Sequence, residues 1–282
     1  MQSFAFTDET IDINSTQSYK LSIQLNLNGL SFCVFDVVRN KYIVLQHIHI
    51  DPNIDFTEYL NTIENILDSV DLLKYSYKKV RLIWYSGKST LIPSNLFNTE
   101  KLKQYFEFNQ ELDDLDEIHY TELKYANAYS VFTMPNQVAN IFVRKYPQIT
   151  FFNQQALAIE NALYKYSTND YKVILNVNED TFDLIIIQKG YLILYNNFIY
   201  TNEVDILYYV MYSFEQLQID SRTIEVICSG YIAKNSKMHL KLNEFIRNIK
   251  FDKYIEDYSY SYTFNKIPQH YFTNLFNLHL CE

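Results

Sequence analysis

The sequence predicts an α/β protein built from two copies of a βββαβ unit. Three observations point there. Residues 19–50 and 171–200 share one layout, three strand-like runs joined by two tight turns; both open on Tyr-Lys and reach an Asn, Asn26 and Asn178, where the first run should end. Each triplet is followed by a helical pattern and one more strand-like run closing on Ser-Gly. Aromatic residues make up 17% of the chain while Gly numbers 4 and Pro 5, a balance that favours sheet. A shared order of five elements closed by the same dipeptide reads as an internal duplication.

Residues 1–18 are polar without clear periodicity and read as a loose lead-in. Leu21, Ile23, Leu25 and Leu27 then alternate with polar residues, the period of a half-buried strand. Asn28-Gly29 signals a tight turn into a second strand over 30–37, and Arg39-Asn40 turns that into a third over 42–50, stopped by Pro52. Asp55-x-x-Glu58 resembles a capping box ahead of an apolar helix face formed by Phe56, Leu60, Ile63, Leu67 and Val70. A strand returns over 79–85 and ends in Ser86-Gly87.

The second half repeats the order. Asn202 can cap a helix whose face carries Leu207, Val210, Phe214 and Leu217, and the strand over 223–228 ends in Ser229-Gly230. Residues 94–147 are extra material: a short helix over 99–106, an acidic run, strands around 118–134 and a helix over 135–145 ended by Pro147. A strand at 151–152 and a helix over 154–166 lead into the second half. The chain closes with a helix over 237–248, an alternating aromatic strand and a last helix over 269–280. The expected division is 1–168, with an insertion at 94–134, and 169–282.

Charge and composition exclude several classes. A net charge of −9 with no dense Lys/Arg cluster argues against nucleic acid. No apolar run reaches the roughly 20 residues that span a bilayer, and no signal-peptide pattern opens the chain, so no membrane insertion and a cytoplasmic location are expected. Cys33, Cys228 and Cys281 are far apart and odd in number, which fits reduced core residues and no zinc site.

Two successive βββαβ units are the signature of the actin-like ATPase fold, a ribonuclease-H-like arrangement shared by actin, sugar kinases, the large heat-shock chaperones, and pilus-assembly and type II secretion proteins. The chain resembles more specifically a family of uncharacterised bacterial proteins assigned that fold. The residues that carry the resemblance are YKLSIQLNLNGLSFCVFD, TLIPSNLF at 90–97, AYSVFTMP at 128–135, Tyr146-Pro147 and the closing LHLCE.

That resemblance implies a nucleotide between two halves, held by an Asp-x-Gly turn from each first hairpin and a Gly-Gly turn from the second half. The first hairpin, Asn26-Leu27-Asn28-Gly29, keeps the Gly and has Leu27 where the Asp belongs. An amide is a poor partner for a hydrated divalent cation. The second, Asn176 to Asp183, has no Gly, so its Cβ atoms would hold phosphate off the backbone, and Glu179, Asp180 and Asp183 would repel it. The adenosine turn reads Ser229-Gly230-Tyr231. If nucleotide binds, Asn26, Gly29, Asn178, Asp183 and Gly230 are its candidate residues. A ribonuclease-H-like nuclease needs a carboxylate on the first strand, and KLSIQLN has none; Asp36 reads as a turn residue.

Other features have plain readings. Gly87-Lys88-Ser89 lacks the upstream Gly of a P-loop, since position 82 is Leu82. His47 and His49 share a strand face without a carboxylate or Cys at ligand spacing and read as ordinary strand histidines. The run Glu111 to Glu117, ELDDLDE, is a solvated segment or a docking patch for a basic partner. Tyr258, Tyr260, Tyr262 and Phe264 read as a strand with its aromatic face on the core, or as an aromatic binding face. The expectation is a non-catalytic actin-like-fold protein that works without a cofactor by binding an unidentified protein, with the insertion as one docking surface. By analogy with the pilus and secretion members, the partner would be a short peptide. The alternative is a divergent ATP-binding switch or ATPase, and a homo-oligomer stays open.

Overall fold

The computed structural model describes residues 1–85, 87–168 and 170–278. Ser86, Cys281 and most of the closing LHLCE lie outside them. The strands are β1 (Phe4–Thr7), β2 (Tyr19–Asn26), β3 (Gly29–Asp36), β4 (Lys41–His49), β5 (Lys79–Trp84), β6 (Ser89–Pro93), β7 (Asp116–Leu123), β8 (Ala128–Pro135), β9 (Thr150–Asn153), β10 (Lys172–Val177), β11 (Thr181–Gln188), β12 (Tyr191–Ile199), β13 (Glu225–Gly230), β14 (Asn248–Phe251) and β15 (Ser259–Tyr260). The α-helices are α1 (Phe56–Ser69), α2 (Leu102–Glu107), α3 (Asn136–Lys145), α4 (Gln154–Tyr166), α5 (Glu203–Gln216), α6 (Lys237–Asn243) and α7 (Thr273–Asn277). They form two compact units. The first holds 1–122, 127–156 and 255–266, and the second holds 123–126, 157–254 and 267–282.

The first unit's main sheet has the order β1-β4-β3-β2-β5-β9. β2 pairs antiparallel with β3 and parallel with β5, so it is central; Tyr19, Leu21, Ile23 and Leu25 are buried on one face, and Lys20, Ser22 and Gln24 stand on the other. One face packs on α1 and α3 through Ile63, Leu67, Val138 and Phe142. Asp55 caps α1 by accepting the N–H of Glu58. The second unit's sheet, β12-β11-β10-β13-β14, repeats that order, with β10 in the place of β2. Its packed face carries Ile206, Val210 and Phe214 of α5, whose N-terminus is closed by a capping box between Asn202 and Asp205. The insertion is a separate sheet, β6-β8-β7. No helix among the described residues is long and apolar enough to cross a membrane.

Several local expectations are corrected. The lead-in holds β1, paired antiparallel with β4, and a 3-10 helix over Ile13–Ser18. Phe4 and Phe6 alternate as a strand should, but four residues are too short a run to declare a period. The first hairpin's turn is Leu27-Asn28, because Asn26 pairs directly with Gly29. The insertion's sheet starts at Ser89, before residue 94. The helix expected over 237–248 ends at Asn243, and β14 follows as an edge strand parallel to β13. The aromatic strand shrinks to the two residues of β15, parallel to β4. Tyr258 and Tyr260 do pack on Phe35 and Tyr42, but the chain then enters a 3-10 helix over Tyr262–Lys266 and leaves Tyr262 exposed. The last helix begins as a 3-10 turn and α7 ends at Asn277; the expected end at residue 280 lies outside the described residues.

Asp8 ties β1 to the sheet. Its buried carboxylate meets Lys41 Nζ at 2.7 Å and accepts the Thr10 hydroxyl at 2.7 Å. Burial alone would raise this acid; Lys41, Thr10 and Ser261 together hold it well below the ordinary carboxylate range. A lowered folded-state pKa means stability that is present above the unfolded value, near pH 4, and lost as pH falls toward the folded one. Asp8→Asn is therefore expected to cost about 3 kcal/mol at pH 7, by urea unfolding. Its gap from the parent should shrink below about pH 4.

Candidate functional site

The two first hairpins are where the fold would place a ligand, at the carboxyl ends of central strands. In the first unit Asn26 closes β2. Its Oδ1 accepts the N–H of Asn28 at 3.1 Å, and its carbonyl accepts the Tyr59 hydroxyl from α1 at 3.0 Å. The hairpin is thus held by an Asn side chain and a tyrosine. Gly29 is buried in β3, where a Cβ would stand 2.7 Å from both the His47 ring and the Ile48 carbonyl oxygen. The protein's own packing accounts for this glycine. His47 is buried, with Nδ1 2.9 Å from Ser31 Oγ, while His49 is exposed. Among the described residues no group of three or more metal-binding side chains gathers.

In the second unit the cross-strand register puts Asp183 opposite both Asn176 and Asn197, and Asn176 beside Ser229. Asp183, 1% exposed, accepts from Asn176 Nδ2 at 2.8 Å, Tyr195 Oη at 2.7 Å and Asn197 Nδ2 at 2.8 Å. Ser229 Oγ donates to Asn176 Oδ1 at 3.1 Å. Both carboxylate oxygens are engaged, so this acid does not fit the role of a ligand to a hydrated cation, which needs open oxygens. Asn178 lies in the turn, its N–H donating to the Thr181 carbonyl and its own carbonyl accepting the Tyr200 hydroxyl. Sequence reasoning missed Tyr195 and Asn197, and read Ser229 only as the start of the adenosine turn. Their signal is two adjacent amides, Asn196-Asn197, inside an otherwise apolar strand.

Gly230 has φ +75°, and a Cβ there would lie 2.1 Å from the Val177 carbonyl oxygen. That oxygen accepts the Tyr231 N–H at 2.7 Å. The Tyr231 ring meets Tyr271 and Phe272 edge-on, and burial raises its hydroxyl. Phe182 belongs to the core beside Phe198. Next to Tyr231 an open depression of about 400 Å³ is lined by Tyr200, Asn202, Glu203, Ser236 and Lys237.

Remaining candidates are structural. Asp36 accepts the N–H groups of Val38 and Arg39, as a turn residue does. Lys88, in the P-loop-like tripeptide, donates to Asp113 Oδ2 at 2.7 Å and to the Glu111 carbonyl at 3.1 Å, fastening the acidic run. Burial pushes the Cys228 thiol up to about 12, and Cys33 is also buried.

Two sheets of one strand order, each joined by a parallel pair at its centre, define the actin-like ATPase fold. A crystal structure from Bacteroides thetaiotaomicron, a protein with actin-like ATPase fold and unknown function, is similar with a TM-score of 0.81 and 24% identity, over 97% of this chain and 100% of that one. The PilM-PilN type IV pilus biogenesis complex gives 0.59 and 8% over 93% and 96%. The ethanolamine utilization protein EutJ from Carboxydothermus hydrogenoformans gives 0.53 and 9% over 98% and 93%. At such identities the likeness carries the fold alone. The chain itself belongs to the family described as protein of unknown function DUF3822, whose model matches residues 8–249. No curated protein matches the sequence.

Two stability predictions follow from the hairpins. Gly29→Ala is expected to cost about 2 kcal/mol by overpacking against His47 and Ile48, whereas Gly87→Ala, with open space around it, should stay within about 0.5 kcal/mol. Asp183→Ala would strand one buried and two half-buried donors and cost about 3 kcal/mol. Urea midpoints at pH 7 measure all three.

Proposed function

We propose that this chain is a non-catalytic, actin-like-fold module that binds another protein, and that the insertion is its docking surface. The observation that carries the reading is the insertion's exposed aromatic face. Phe97 stacks on Tyr129 with ring centroids 3.7 Å apart, and Tyr120 joins at 5.2 Å. In the same insertion Tyr120, Leu96 and Phe108 are 45%, 63% and 90% exposed. Large exposed apolar side chains concentrated in one short segment mark interaction surfaces, and tyrosine is favoured there. The acidic run beside it leaves Glu111, Asp113 and Asp114 at the surface. The degenerate phosphate turns support the same reading. The first turn has no carboxylate, Asp183 is enclosed by amides and a phenol, and both site glycines are required by neighbouring protein atoms. Among structures of the same fold, PilM is named in a complex with PilN, which is this kind of work.

One feature favours a second reading, an ATP-binding switch: the depression beside Gly230 and Tyr231, whose volume suits a small ligand. Thermal unfolding with millimolar Mg-ATP separates the two. A nucleotide at about 100 times its Kd would add roughly 2.7 kcal/mol. The expected result is no shift in Tm, and a shift of several degrees would establish the switch. On the binding reading, deleting residues 111–117 or replacing Phe97 and Tyr120 by Ser should empty the set of proteins co-purifying with the chain while its Tm is kept. An unchanged set would reject the insertion as the docking surface.

A further inference from the structure

We propose that the outer edge of β12 pairs antiparallel with the β12 edge of a second copy of this chain, so that the second unit's sheet runs on across a two-fold axis. Among the described residues β12 ends its sheet, and no strand pairs with its far side. It is nine residues long, and the run from Tyr191 to Ile199 has no charge and no proline. Sheet edges are ordinarily kept from pairing by shortness, lysine or proline. The opposite edge of the same sheet follows that rule, since β14 has four residues and carries Lys250, whereas β12 breaks it.

The duplicated fold shows what such an edge takes. β4 is the counterpart of β12. Both have nine residues, and both bulge at the same place in the pairing, at Ile43 opposite the Val34–Phe35 step and at Ile193 opposite the Ile186–Ile187 step. Past its bulge β4 is covered, because Val44 to His47 pair antiparallel with β1, and β15 takes the start of the strand. β4 is accordingly mostly buried, while β12 mixes half-buried and exposed residues, with Tyr191 72% and Ile199 74% exposed. The equivalent stretch of β12 begins at Leu194. The Tyr200 N–H donates to the Asp180 carbonyl, so the alternation of the ladder turns the backbone of Ile199 outward.

Charge and area argue for a second copy as the occupant. The two ends of β12 carry opposite charge. Lys189 is exposed in the turn that enters the strand; where the strand ends, Asp180 is exposed and Glu203 stands half-buried in the first turn of α5. None of the three is in an ion pair among the described residues. An antiparallel pair of β12 strands crosses these ends and sets each Lys189 against the acids of the other copy, whereas a parallel pair would set like charges together. An unrelated extended peptide would receive the backbone pairing without the crossed charges. Tyr195 and Asn197 turn their side chains to Asp183, so other residues make the side-chain contact. An aromatic row continues the strand onto α5. Tyr209 stacks on Phe198 at 4.4 Å, and Tyr208 and Tyr212 follow, 6.1 Å apart and exposed. A standard interface takes about 800 Å² from each partner, more than a short strand edge supplies. With about 150–250 Å² for a whole buried ring, the exposed parts of Tyr191, Tyr208 and Tyr212 add on the order of 350 Å² per copy. The surface belongs to the second unit and shares no residue with the insertion.

Sedimentation equilibrium of the full chain from about 1 to 100 μM tests the assignment. The expected result is a mass that rises with concentration to twice that of one chain. Tyr191→Lys/Ile199→Lys should weaken the dimer at least about tenfold. Both positions are exposed, so the Tm of this variant at low concentration should stay within a few degrees of the parent. Lys189→Glu and Glu203→Lys should each weaken the dimer, and the combined exchange should recover most of the loss. Within one chain these two residues stand at opposite ends of a strand about 30 Å long, so recovery reports contact between chains. Deleting residues 111–117 should leave the dimer intact, which keeps this edge distinct from the insertion. A single-chain mass at every concentration would overturn the proposal, even if the edge took up an extended peptide instead. So would a dimer that the two lysines leave unchanged, or one lost with residues 111–117.

Discussion

The position of one strand in each sheet governs the rest. β2 and β10 are antiparallel to one neighbour and parallel to the other, and most of their residues are buried. A strand in that position must be apolar or must satisfy every polar atom it carries. β2 meets the demand mostly with Leu21, Ile23 and Leu25. β10 meets it with Val173 and Leu175 on one face, and on the other with Asn176, which is 4% exposed and hydrogen-bonded to Asp183 and Ser229. The parallel pairing also brings Gly230 against the Val177 carbonyl, where no side chain has room. The polar cluster and the glycine thus follow from strand order and need no ligand to explain them.

How much of this was legible in the sequence depended on run length. The eight- and nine-residue strands β2, β3, β4, β11 and β12 alternate or run apolar long enough to be read with nearly correct ends. α1 and α5 announced themselves through Asp55 and Asn202. The failures were short edge pieces. β1 and β14 have four residues each, and β15 has two. Such strands exist because a sheet edge was available to them, which is tertiary information. The aromatic alternation after Tyr258 misled for the same reason, since its first rings found Phe35 and Tyr42 while the backbone turned away.

The candidate site was only half legible. The missing Gly of the second hairpin and the missing Asp of the first are visible in the letters. The enclosure of Asp183 is not, because it depends on register: Asn176, Tyr195 and Asn197 converge on one carboxylate only when β10, β11 and β12 are aligned.

Glycine usage makes the strongest case for a function carried on surfaces. A phosphate-binding fold spends its glycines on letting backbone approach a ligand. This chain has four, and the two at the fold's ligand-binding turns admit protein atoms instead, a histidine ring and a carbonyl at Gly29 and a carbonyl at Gly230. Restoring a phosphate cradle would require moving β4 away from Gly29 and β10 away from Gly230, both of which are core strands. Aromatic and acidic side chains, by contrast, are exposed on the insertion, Tyr120 and Phe108 among them, outside both of the larger sheets. The core constrains the turns, and on the proposed reading the residues that specify a partner lie outside them.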